Sequence, residues 1–312
     1  MRRGGPLRDA VPDPLIVLST PDAECAVAPA AGGSITRFAA TLGGRRIDLL
    51  RPAPQDAIAA GDPRRMASFP LVPFSNRVRA GKFRFAGRWV ALPLNSPPMP
   101  HAIHGLGFQA PWRVASVGDA ALVLEHRHEG GAWPWPYVAR QNFVLGPGGL
   151  GVSMEVENTG REAMPLGIGW HPYFPRTPNA RLTARVAAMW RTDDAVMPVA
   201  LADPPPTHRL QQGIRPEAVA MDNCFAGWDG RAVVEWPEWN ARLTLTADPP
   251  LQFLVVFTPP GRDFFCVEPV SNCTDAFNLA EAGRDDTGTV ALAPGRSLRA
   301  AMTLRPEPLE NP

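Results

Sequence analysis

The sequence predicts an all-β protein, a large antiparallel β-sandwich, and three observations carry that expectation. Proline makes up 37 of the 312 residues, about 12% against a usual ~5%. A residue that fixes φ and lacks an N–H cannot be spread so densely through long helices. Several segments alternate apolar and polar side chains with period two, as strands do when one face meets a core and the other meets water. Turn dipeptides fall where such strands should reverse. With 45% apolar residues and 28 glycines, the chain can bury a sizeable core but is interrupted often, which excludes disorder, collagen and coiled coil.

Along the chain, Ala53 to Arg65 is the best candidate for a short helix or loop, and its prolines weaken any helix there. Hairpins are expected at Ala86-Gly87 between Lys82–Phe85 and Arg88–Leu92, and at Gly118-Asp119 between Trp112–Val117 and Ala121–Glu125. A third is expected at Gly146 to Gly149, between Tyr137–Leu145 and Gly151–Glu157. Val152, Met154 and Val156 alternate with Ser153, Glu155 and Glu157; Leu243 and Leu245 alternate with Arg242, Thr244 and Thr246; Leu298, Ala300, Met302 and Leu304 share one face. Asp203-Pro204-Pro205-Pro206 and Asp248-Pro249-Pro250 read as loop corners with strands continuing after each. No helical stripe persists over three turns, and no linker or internal repeat is visible, so residues 1–312 are expected to form one domain of two sheets packed face to face.

Thirty-one basic and 30 acidic side chains leave a formal charge of +1, so no global field favours nucleic acid or an anionic membrane. Lys82 is the single lysine, and the abundance of arginine reads as coding bias. No stretch reaches the ~20 apolar residues of a membrane span, and Asp9, Pro12, Asp13 and Pro14 break any leader of signal-peptide type. A soluble, cytoplasmic chain is expected. Cys25, Cys224, Cys266 and Cys273 are too few for a disulfide scaffold, contain no Cys-x-x-Cys pair, and read as buried thiols. No Gly-x-x-x-x-Gly-Lys-Ser/Thr loop is present and no Gly-x-Gly-x-x-Gly lies between a strand and a helix, so a nucleotide cofactor lacks a cradle.

Six histidines remain to be weighed. His104, in Pro-His-Ala-Ile-His-Gly, and His171, in Gly-Trp-His-Pro-Tyr-Phe, are flanked by Gly, Pro and aromatics, the setting of a rigid pocket wall; a structural histidine is the commoner outcome in such a place. Glu268 gives a sharper signal, lying inside the apolar run Phe264-Phe265-Cys266-Val267-Glu268-Pro269-Val270. Burial there raises a carboxyl pKa toward the working pH of a general base, while the plainer alternative is a strand-end acid paired with an arginine. Asp222 in isolation fits a turn. His126 and His128 share a strand face but lack a third ligand and read as a solvated strand end. Arg77, Arg79, Lys82 and Arg84 could hold a phosphate, although alternation places all but Arg77 on solvated faces.

Five segments in order resemble the aldose 1-epimerases, or galactose mutarotases: Pro70-Leu71-Val72-Pro73-Phe74-Ser75-Asn76-Arg77, His101-Ala102-Ile103-His104-Gly105, Gly169-Trp170-His171-Pro172-Tyr173-Phe174, Asp222-Asn223-Cys224-Phe225 and Phe265-Cys266-Val267-Glu268-Pro269. The resemblance implies the large galactose mutarotase-like supersandwich, no cofactor or metal, and interconversion of the α and β anomers of a free aldose. It implies His171 as general acid at the ring oxygen, Glu268 as base at the anomeric hydroxyl and His104 as an assistant near the ring oxygen, with Arg77, Asn76 and Asp222 holding sugar hydroxyls. The expected partner is a small-molecule sugar, with no nucleic acid and no membrane, the chain being a monomer or homodimer. Asn272 departs from the histidine expected there in many relatives. Three rivals remain at this level. A hexose 6-phosphate epimerase would use the Arg77–Arg84 cluster, a sugar-binding protein would leave the acid and base idle, and a glycoside hydrolase would employ Asp222 and Glu268 as its carboxylate pair.

Overall fold

A computed structural model describes residues 15–202 and 205–309. The chain forms two large antiparallel sheets with few and short helices. One sheet has 11 strands, in the order Ile16–Ser19, Ala23–Ala28, Ser34–Leu42, Ser68–Leu71, Gly169–Pro175, Phe264–Val270, Phe253–Phe257, Asp222–Ala226, Ala188–Thr192 and Pro198–Ala202, with Arg45–Asp48 branching from Ser34–Leu42. The other has eight: Arg113–Val117, Ala121–His128, Tyr137–Gly146, Gly149–Asn158, Ser297–Pro308, Ala241–Ala247, Arg231–Trp236 and Arg181–Ala184.

The expected hairpins are present. Lys82–Phe85 pairs with Arg88–Ala91, Arg113–Val117 with Ala121–His128, and Tyr137–Gly146 with Gly149–Asn158. The alternation does what it predicted: Val152, Met154 and Val156 are buried with Leu243, Leu245, Ala300, Met302 and Leu304 in the main core between the sheets. Trp170, Phe174, Phe225, Leu254, Val256, Phe265 and Val267 of the larger sheet join the same core. A second apolar cluster, including Phe69, Tyr173, Cys224, Val255 and Cys266, lies on the opposite face of the larger sheet. All four cysteines are buried and unpaired.

Two expectations need correction. The proline run does not lead from a corner into a strand, because an α-helix spans Pro205–Gln212. The first helical turn has no intrahelical partner for its N–H groups, so proline costs nothing there. Asp203 and Pro204 lie outside the described residues. His126 is not a solvated strand end either: it is 8% exposed and packs between Trp112 and Tyr137, with ring centroids at 5.4 and 5.7 Å. Its face of the strand is the one that also buries Leu122 and Leu124. The Ala53 to Arg65 segment resolves into a helix over Gln55–Ala60 and a 3-10 turn over Pro63–Arg65. No helix among the described residues is long and apolar enough to cross a membrane.

Candidate active site

Period two assigns neighbouring residues of each central strand to opposite faces. In Gly169–Pro175, Trp170 and Phe174 enter the main core, while His171 and Tyr173 face the other way. Register then assembles that second face across strands distant in sequence. Phe69 lies opposite His171, Cys266 opposite Tyr173, Val255 opposite Glu268, and Asp222 opposite Phe257. These side chains underlie a cavity of about 170 Å³ that is also lined by Arg64, Asn76, Arg77 and His104. All six residues singled out for catalysis or binding therefore meet in one place.

His171 Nε2 stands 3.2 Å from a carboxyl oxygen of Glu268. Both side chains are buried, at 8% and 3% exposure. The imidazole of His171 is stacked between Phe69 and Tyr173, at centroid distances of 4.6 and 4.7 Å and interplanar angles of 26° and 23°, so its plane is fixed from both sides. Glu268 has no arginine partner among the described residues, and its Oε2 makes no hydrogen bond to them. The strand-end pairing that was its plainer alternative does not occur.

Burial pushes Glu268 well above the ordinary carboxyl range, with Asp222 adding to the rise and Arg77 opposing it. Burial likewise drives His171 down to about 3, and Arg51 and Arg77 contribute in the same direction. Both shifts favour the neutral forms. His104 is pushed well down, first by burial and then by His171, Arg77 and Arg64. Its ring meets that of His171 edge-on at 5.1 Å.

Arg77 is buried and held on two sides, with NH1 donating to Asn76 Oδ1 at 3.1 Å and NH2 to Asp222 Oδ2 at 3.0 Å. Asp222 opens a strand rather than forming a turn, and its commitment to Arg77 removes it from a hydrolytic carboxylate pair. The proposed phosphate cluster disperses: Arg79 pairs with Asp193 and Asp275, Arg84 faces Glu281, and Lys82 is exposed. Of that cluster, only Arg77 lines the cavity.

His104 is carried by an unusual backbone. Asn76 and His104 have φ of 56° and 64°, and His104 N–H donates to Asn76 O at 2.9 Å. Gly105 follows at φ 74°, where an added Cβ would stand 2.2 Å from Val72 O, so only glycine fits behind the histidine. Asn272 is tied to Ser75: its Oδ1 accepts from Ser75 N–H at 3.1 Å and from Ser75 Oγ at 3.0 Å, while its Nδ2 donates to Cys273 O at 2.9 Å. Its place is that of a clasp between distant segments.

Residues missed in the sequence are Phe69, Tyr173, Cys266 and Arg64. The first three are two positions from, or across a strand from, residues already singled out, so period two flags Tyr173 from His171 and Cys266 from Glu268; strand register is needed for Phe69. Among the described residues, His171, Cys266 and Glu268 each offer a ligand atom within 4.8 Å of the others and could hold a metal ion. Burial, with Glu268 adding, raises the Cys266 thiol well above its ordinary range, which keeps it protonated.

The family model for aldose 1-epimerase matches residues 14–305. The chain belongs to the aldose 1-epimerase family. Among curated relatives of this aldose 1-epimerase family member, the uncharacterised Escherichia coli K12 protein YphB is 33% identical over 267 residues, covering 83% of this chain and 89% of YphB. A crystal structure from Escherichia coli K12, described as a candidate aldose 1-epimerase, superposes with a TM-score of 0.84 at 31% identity over 95% of this chain and 99% of that one. A galactose mutarotase-like protein from Clostridium acetobutylicum, 21% identical over 94% of this chain and 95% of its own, gives a TM-score of 0.83 and shares the fold. The supersandwich expected from the sequence is thereby established.

Proposed function

We propose that the protein is an aldose 1-epimerase that interconverts the α and β anomers of a free aldose by opening and reclosing the ring. The observation that carries this reading is the 3.2 Å contact between His171 and Glu268, two buried groups of opposite acid–base character at a monosaccharide-sized cavity. Mutarotation needs one group to take the proton of the C1 hydroxyl and another to protonate the ring oxygen. As the C1–O bond of the ring breaks, C1 becomes an aldehyde. Rotation about C1–C2 presents its other face, and return of both protons closes the ring as the opposite anomer.

Glu268 serves as base at the anomeric hydroxyl and His171 as acid at the ring oxygen, with His104 assisting beside it. With one proton on the pair, the charged form Glu⁻/HisH⁺ and the neutral form differ only by transfer across the 3.2 Å contact. Each positioned proton transfer is worth typically ~10² to 10⁴ in rate. Arg77, Asn76 and Asp222 orient the sugar through its hydroxyls, turning several weak hydrogen bonds into one geometry at the reacting carbon. The stacked Phe69 and Tyr173 hold His171 against rotation.

The test is anomer-resolved NMR or polarimetry on freshly dissolved α-D-glucose and α-D-galactose. Exchange well above the buffer rate is expected for at least one aldose, and a buffer-level rate for a full panel of aldoses overturns the reading.

A further inference from the structure

The charges lining the cavity do not balance. Arg77 is neutralised by Asp222 at 3.0 Å. Glu268 stands 3.2 Å from His171, and burial favours the neutral form of each. Deep burial keeps His104 neutral. Arg64 remains: it lines the same cavity and makes no ion pair with a carboxylate among the described residues.

Arg64 is also held in place. It sits in the 3-10 turn Pro63–Arg65, whose first N–H groups are capped by Asp62, the Oδ1 of which accepts from Arg64 N–H at 3.1 Å. Its NH2 donates to Asn95 O, and its guanidinium lies over Phe108 at 5.4 Å. Asn95 is in turn fixed by hydrogen bonds to both the N–H and the carbonyl of Ile103, each at 2.9 Å. A guanidinium has five N–H donors; Asn95 O accepts the only side-chain hydrogen bond Arg64 makes among the described residues. Phe108, under the guanidinium, meets the His104 ring edge-on at 6.1 Å, and Asn95 ties Arg64 to Ile103, the residue before His104. The free cation thus lies on the His104 side of the cavity.

We infer that Arg64 is a specificity-determining residue that selects aldoses carrying an anionic substituent, a carboxylate or a phosphate, remote from the anomeric carbon. The inference rests on the anomer-exchange reading for its substrate class. A planar, pre-positioned fork of donors suits either anion, since charge-assisted hydrogen bonds are about twice as strong as neutral ones. An uncharged hexose would leave the cation without a partner in a partly desolvated site. The exposed Arg79, Lys82 and Arg84 take no part.

The test compares D-glucose, D-glucuronate and D-glucose 6-phosphate as substrates for the wild type, Arg64→Gln and Arg64→Lys, following anomer exchange by NMR. The wild type should show kcat/KM at least ~10-fold higher for one anionic sugar than for glucose, and which one identifies the anion. In Arg64→Gln that ratio should fall at least 10-fold, chiefly through KM, with partial recovery in Arg64→Lys. Equal kcat/KM for all three sugars in the wild type, or a ratio unchanged in Arg64→Gln, overturns the inference. If no sugar is exchanged, the proposed function falls by itself. Calorimetric binding of glucuronate or glucose 6-phosphate that weakens with salt and is lost in Arg64→Gln would still uphold the role of Arg64, and absence of such binding would sink it too.

Discussion

The two faces of the larger sheet are made by the same strands and are buried to nearly the same extent, but they do different things. Trp170 on one face is 1% exposed and His171 on the other 6%; Val267 is 0% and its neighbour Glu268 2%. On the core face the partners are mainly apolar, the Trp170 Nε1 donation to buried Gln141 being satisfied, so burial is stabilising wherever shapes fit. On the cavity face burial acts on groups that would otherwise ionise, and it changes their proton affinity instead. Low exposure alone therefore does not tell packing from chemistry; what separates them is which side chains the register brings opposite one another.

That comparison is most sharply tested by Glu268→Gln, which keeps shape and removes the proposed base. Turnover should fall at least ~100-fold with the fold intact by circular dichroism. The variant should also change the pH dependence of stability. A carboxyl whose folded pKa is raised contributes stability that is present below its unfolded value of ~4.3 and lost as pH rises through the folded value. Thermal melts should show the variant gaining on the wild type as pH increases, and an unchanged gap would place Glu268 among ordinary ionised carboxylates.

On the opposite face, Phe174→Ala should cost roughly 3–5 kcal/mol in denaturant unfolding, as deletion of a fully buried aromatic does. Turnover of the molecules still folded should change far less than in Glu268→Gln. Gly105→Ala comes next: its Cβ cannot stand 2.2 Å from Val72 O, so the loop carrying His104 must shift. A loss of roughly 1–3 kcal/mol is expected, accompanied by reduced turnover, and wild-type activity would show that His104 need not be held where it is.

The smallest effect concerns the histidine on the core side. Burial, with His128 adding, pushes His126 down to about 4. A depressed histidine contributes stability that is present above ~6.5 and lost as pH falls through the folded value. His126→Phe should flatten the acid limb of a stability–pH curve, by up to roughly 2 kcal/mol at pH 5 and by nothing measurable above pH 7. A parallel downward shift at every pH would instead mark His126 as packing alone.

Much of the fold was legible because proline density and period-two alternation report backbone geometry directly. Glu268 stood out as a charge inside an apolar run, and His171 through its rigid, aromatic flanks. The helices Pro205–Gln212 and Ala276–Glu281 were not visible, being too short for a sustained stripe. Arg64 was hidden as one arginine in a chain with only one lysine, and its significance depends on a cavity that no local pattern describes. His126 was misjudged because a polar residue in an alternating strand looks solvated until the aromatic rings that cover it, Trp112 and Tyr137, are known.

The strand Gly169–Pro175 lies between Ser68–Leu71 and Phe264–Val270, so its two neighbours enter the sheet about a hundred residues to either side in sequence. Contacts closed over such spans form slowly. During synthesis on the ribosome, Arg77, His104, His171 and Asp222 all emerge before the carboxyl that completes their constellation. On the proposed mechanism, no N-terminal fragment ending short of Glu268 holds a working centre, which would make catalytic turnover a reporter of that long-range closure and not merely of a collapsed chain.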